Sequence, residues 1–208
     1  PGSAAGYLAL CQQSLLSATL RSRLPLGEMA RQIGAASGHG ALQMLALGAG
    51  DGHSETRLVG HLLEAGASRV ELCLLDISQP LLTSAYHHAV DRLSRQRQVH
   101  VWALQGNFHH LPLYTALHRP ATRRPRRLFI LLGQTLAHLD HELRFLQQSL
   151  LDCDVDDLLV LDVPLACAPC TDRTEIKRCD RLFAEGVPAP YAAWLAGPLW
   201  RHCPQVDR

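Results

Sequence analysis

The run Ala41-Leu42-Gln43-Met44-Leu45-Ala46-Leu47 ends abruptly at Gly48-Ala49-Gly50-Asp51-Gly52, and no other feature of the chain restricts its fold as much. A short apolar run bounded by glycines reads as a strand buried on both faces, an arrangement found almost only in parallel sheets covered by helices. A helix is expected next, over about 54–65, and a second apolar run at 70–75 ends in the acid Asp76. Ser78 is placed to cap a further helix that carries Pro80 in its first turn. Runs at 99–104, 127–132 and 158–161 supply strands three, four and five, with Leu143, Leu146 and Leu150 at helical spacing between the last two. Strands alternating with helices in this way predict an α/β chain with a mostly parallel sheet and helices on both faces.

The flanks differ from this core. Leu8, Cys11, Leu15, Leu16 and Leu20 recur at helical spacing, Pro25 interrupts them, and a second short helix is expected to end near Gly34. Residues 1–40 are therefore expected to form a helical extension, 41–164 the α/β core, and 165–208 a helical, lid-like or docking segment. Trp194 and Trp200 lie in that last segment, either over a substrate or packed on the sheet. No run after strand five supplies strands six and seven. An open sheet edge is normally paired or covered, so a protein partner or a further C-terminal region is expected to complete the sheet.

Hydrophobic residues at 47% and charged residues at 19% of 208 exclude a largely disordered chain. No apolar stretch reaches the ~20 residues of a membrane span, so no membrane association is expected. Lys+Arg 20 against Asp+Glu 19 gives a net charge of +1, too little for a global field that would draw in nucleic acid. The arginines within 119–127 read as a solvated loop, and Asp152, Asp154, Asp156 and Asp157 as a polar turn lacking the glycine and distal Glu of a calcium loop. Seven cysteines, an odd number, fit reduced thiols and a cytoplasmic location better than a disulfide framework. Cys167 and Cys170, with Cys179, His202 and Cys203 at irregular distances, are expected to hold no metal.

Ligands of an open parallel sheet bind outside the carboxyl ends of its strands. Glycines at alternate positions after strand one allow a sharp turn and close approach of a ligand to the backbone, while the next helix offers its first N–H groups. A nicotinamide fingerprint would need glycine at His53, and a phosphate-binding P-loop would need Gly-Lys-Ser/Thr, so both are excluded. Asp76 is placed to accept hydrogen bonds from both hydroxyls of a ribose. Asn107 and Phe108, after strand three, are either a turn or an amide and a ring for an adenine.

Together these three features resemble the nucleoside cradle of class I S-adenosylmethionine methyltransferases. GNFHHLP at 106–112, LGQTLAHLD at 132–140 and FLQQSLLDCDVDDLLVLDV at 145–163 are similar to the histidine-specific methyltransferase family that includes the Nα-methyltransferase of ergothioneine biosynthesis. The resemblance implies a Rossmann-like sheet, S-adenosylmethionine as methyl donor, and cofactor contacts at Gly48, Gly50, Asp76 and Asn107. Ala49, Asp51, Gly52, Ile77, Phe108, Gly133 and Gln134 are expected to line the same cradle. In that family the loop after strand four reads like GSTIGNF, and its Asn helps hold the amino-acid substrate; here His138 stands in that place. The implied activity is methyl transfer to a nitrogen or oxygen of a small-molecule acceptor, in specialised biosynthesis. The other reading is a catalytically silent or partial domain of the same fold with an assembly or binding role. His109, His110 and His138 are candidate bases, and His138 is preferred because it follows strand four on the ligand side.

Overall fold

The computed structural model describes residues 24–117, 125–133, 135–139, 141–150 and 154–163, together with Ala4, Leu8 and Ala9, which are helical. The sheet lies within the compact unit Leu20–Val163. Its order of elements is α1 (Leu26–Ser37), β1 (Ala41–Leu47), α2 (His53–Glu64), β2 (Arg69–Asp76), α3 (Gln79–Leu93), β3 (Val99–Gln105), a 3-10 turn (Phe108–His110), α4 (Leu111–Leu117), β4 (Arg126–Leu131), a second 3-10 turn (Thr135–His138), α5 (Glu142–Gln148) and β5 (Leu158–Leu161).

The strands form one five-stranded sheet in the order β3-β2-β1-β4-β5. Every pairing is parallel, so the expected Rossmann-like α/β class is the one observed. Successive strand residues point to opposite faces. Leu42, Met44, Ala46, Val70, Leu72, Leu74, Leu128 and Ile130 pack with residues of α1, α2 and α3. Leu45, Leu47, Cys73, Leu75, Phe129 and Leu131 pack on the other side with Leu111, Leu136 and Phe145. Both faces are covered, which is why the strands read as continuous apolar runs. Each fully buried leucine, such as Leu72 or Leu74, contributes ~2 kcal/mol.

Helix α1 continues past Gly34, the expected end, to Ser37. Gly38 stops it instead, at a left-handed φ of 63° that a glycine adopts without strain. The segments in which strands six and seven, the zinc ligands and the two late tryptophans were sought, within 164–208, lie outside the described residues. Among those described, β5 is the last strand and no helix is long and apolar enough to cross a membrane.

A second correction concerns the charged loops. Arg126 is not in a solvated loop; it opens β4, one residue before the expected start at Arg127. Arg127 is 9% exposed, and its guanidinium lies 2.6 Å from Asp157 Oδ2 and 3.2 Å from Asp154 Oδ2. Its backbone N–H donates to Asp157 Oδ1, and the N–H of Asp154 donates to Asp157 Oδ2. Arg126 pairs with Asp156 and donates to Ala36 O at the end of α1. The acidic turn is thus the counter-charge of these arginines. A buried guanidinium demands such partners, and they come from the turn that leads into the neighbouring strand.

Candidate functional site at the carboxyl edge of the sheet

The strand register brings Leu47 beside Leu75, and Asp76 beside Gln105, so the turns after β1, β2 and β3 leave the sheet side by side. Gly48 extends the first ladder by donating its N–H to Leu75 O at 2.8 Å. Gly48, Gly50 and Gly52 have φ of 71°, 56° and 72°, the left-handed region that a side chain would strain. Alternating left-handed residues turn the chain out of β1 and into α2. Ala49 is buried and its carbonyl accepts the N–H of Gly52, while Asp51 Oδ1 accepts the N–H of His53 at 3.2 Å. Asp51 therefore organises the helix entry. Gly52 is the helix cap, and a Cβ there would lie 2.8 Å from that of Ala85 on α3.

Asp76 is only 7% exposed. Its Oδ2 accepts the N–H of Gly50 at 3.1 Å and its Oδ1 the N–H of Ser78 at 2.8 Å. Ser78 does occupy the cap position of α3, yet its hydroxyl makes no capping bond. Asp76 supplies the anion at that helix start instead, because a carboxylate accepts two N–H groups at once. Burial pushes the Asp76 carboxyl above the usual carboxylate range, and the N–H groups of Ser78, Gly50 and Ile77 pull it back. Ile77 follows, 66% exposed, an apolar surface directly beside the acid.

The β3 turn is fixed to the same point, since Gly106 N donates to Asp76 O at 3.1 Å. Gly106 is bare for a steric reason: a Cβ there would lie 2.5 Å from the Tyr114 hydroxyl. Asn107 Oδ1 accepts the N–H of His109 at 3.0 Å, so Asn107 makes the turn that its sequence context allowed. Phe108 meets Phe145 edge-on with ring centroids 5.5 Å apart, and Ser149 Oγ donates to His109 O at 3.0 Å. Helix α5 thereby braces the β3 turn.

After β4, Gly133 is exposed with a φ of 66°, followed by the 3-10 turn that contains His138. Gln134 and the side chain of His138 lie outside the described residues. Thr135, which nothing in the sequence singles out beyond its place in the loop, donates to Leu132 O at 2.7 Å and faces Gly48. Gly50 and Asp76 are thus in direct contact, and Gly48 is flanked by Phe108 and Thr135. Among the described residues no group of three His, Cys, Asp or Glu could hold a metal ion.

A sequence profile described as "Histidine-specific methyltransferase, SAM-dependent" matches residues 24–168. No curated protein matches the chain. Among solved structures, the chain is similar to the O-methyltransferase TomG of Streptomyces achromogenes, which is involved in tomaymycin synthesis and was solved in complex with SAM. Identity is 15%, the TM-score is 0.39, and the likeness covers 70% of this chain. The chain spans 58% of the length of TomG.

Proposed function

Because the chain belongs to the histidine-specific, SAM-dependent methyltransferase family, we propose that it binds S-adenosylmethionine at the carboxyl edge of its sheet and transfers the methyl group to a nitrogen or oxygen of a small metabolite. The single observation that carries this reading is the buried Asp76 carboxylate bonded to the glycine turn. Its oxygens accept the N–H groups of Gly50 and Ser78, and the carboxylate's remaining acceptor capacity is there for the hydroxyls of a ribose. The donor set suits the cofactor: glycines of positive φ keep side chains out of the turn, and the first N–H groups of α2 favour the negative charge of its carboxylate.

When bound, S-adenosylmethionine supplies an electrophilic methyl on a sulfonium centre. The chain's part is to hold the reacting atoms in line, exclude water and accept the acceptor's proton. Asp76 and Asn107 would orient the nucleoside, with Ile77 and Phe108 as apolar surfaces beside it. Gly133 and Gln134 would line the same cofactor cradle, and His138 would take the proton. We further propose that the reaction runs in the cytoplasm, in a biosynthetic pathway, and that a partner protein or further chain completes the sheet beyond β5. The thiol of Cys73, free and buried in β2, is in keeping with a reducing compartment.

Calorimetry with S-adenosylhomocysteine, followed by release of that product from S-adenosylmethionine over a panel of amine and hydroxyl acceptors, tests the proposal. Binding of the product and turnover with one acceptor class are expected. A folded protein that binds neither cofactor form would overturn the reading.

A further inference from the structure

The strand order changes direction between β1 and β4, and the turns after these two neighbouring strands diverge to leave a crevice between them. Thr135 stands in that crevice with both arms of its side chain engaged. Its hydroxyl donates to Leu132 O at 2.7 Å, inside the β4 turn, with Gly48 O as a distant second acceptor at 3.5 Å. Its methyl points into the β1 turn: a Cβ on residue 48 would lie 2.6 Å from Thr135 Cγ2, and 3.3 Å from its Oγ1. The methyl therefore fills the volume that Gly48 leaves empty. A β-branched side chain is stiff at χ1, so fixing the hydroxyl on Leu132 also fixes the methyl on Gly48.

We infer that Thr135 is a positioning residue for methyl transfer, one that sets the separation between the cofactor turn after β1 and the acceptor-side turn after β4. This rests on the cofactor reading given above. Serine keeps the anchor but drops the spacer; valine keeps the spacer but drops the anchor. Neither alone holds the two turns at one distance, which a reaction sensitive to ångström displacements requires.

The experiment measures S-adenosylhomocysteine affinity by calorimetry, with melting temperature recorded for each variant. Thr135→Val is expected to lower the melting temperature slightly, through the one intramolecular hydrogen bond lost, and to weaken binding by the fully folded protein by about fivefold. Gly48→Ala is expected to weaken binding strongly in the natural background and less, by about fivefold, when combined with Thr135→Ser, because serine removes the methyl that the new Cβ would strike. The recovery is expected in the affinity of the folded protein, at a temperature well below each variant's melting point, so that a recovery of stability alone is told apart. If the wild type binds S-adenosylhomocysteine but the two substitutions act independently, or if Thr135→Val binds like the wild type, the positioning role is wrong while the cofactor reading stands. If the folded wild type does not bind, the cofactor reading fails and takes this role with it.

Discussion

Gly50 N and Asp76 Oδ2 lie 3.1 Å apart, so the turn after β1 is fastened to the end of β2 by a charge-assisted hydrogen bond. The acid that is expected to hold the ribose also shapes the glycine turn beside it. Asp76→Ala should therefore weaken S-adenosylhomocysteine binding by about 1.5 to 3 kcal/mol, the range for hydrogen bonds to a charged group. The fold should persist, since removing the carboxylate also removes the cost of burying it. Calorimetry and thermal melting check the two statements separately, and an unchanged affinity would refute the ribose assignment.

The same burial sets a pH dependence. Desolvation raises the Asp76 carboxyl above its ordinary range, so the folded protein holds that proton more tightly than the unfolded chain. This group's contribution to stability is present at low pH and is lost as pH rises through the raised value. Binding should run the other way, because the ionised form is the one that accepts ribose hydroxyls. Affinity for S-adenosylhomocysteine should fall on acidification through a range above that of an ordinary aspartate. Asp76→Asn should flatten this profile; a wild-type affinity constant across that range counts against the prediction.

Asn107 serves the turn through its oxygen, which leaves the amide nitrogen to account for any adenine recognition. Asn107→Asp keeps an acceptor for His109 N, so the melting temperature should hold, while S-adenosylhomocysteine binding should weaken by about 1 kcal/mol. Asn107→Ala should lower both. Equal affinity for the aspartate variant and the wild type would mean that the residue only shapes the turn.

Asp157 and Arg127 are paired at 2.6 Å with side chains 7% and 11% exposed. Removing Asp157 leaves the buried guanidinium with Asp154 alone and takes the acceptor from the N–H groups of Arg127 and Asp154, so Asp157→Ala should destabilise the fold by about 3 kcal/mol in chemical denaturation. The pair lies at the amino end of β4, away from the candidate site, so S-adenosylhomocysteine affinity of the folded fraction should be unaffected.

The elements that were legible in the sequence are those whose cause is local. Residues 41–47 and 158–161 are strands as read, because an apolar run cut by glycine or by an acidic turn has little choice in a covered sheet. Gly48, Gly50 and Gly52 were legible as a turn because their φ angles are ones that only glycine adopts cheaply. What was illegible depends on distant partners. Nothing near Arg127 in sequence announces Asp154 and Asp157, and Ser78, the better cap by residue type, yields that role to the acid two residues earlier. Thr135 is one threonine in a loop until β1 and β4 are set side by side. The helix end misplaced at Gly34 has a similar origin, since Gly34 is buried inside α1 and Gly38 is the residue with a positive φ.

Cys73 sits in the middle of β2, paired with Leu45 of β1 on one side and Trp102 of β3 on the other, and is 2% exposed. Burial pushes its thiol up to about 12, so almost none of it is the reactive thiolate while the sheet is closed. An alkylating reagent can reach it only when neighbouring strands separate. The labelling rate of this one sulfur, followed by mass spectrometry of its peptide, is therefore a clock for opening of the central strands. A ligand that clamps the turns after β1 and β2 together should slow that clock, which gives an assay for candidate cofactors that requires neither a known acceptor nor any turnover.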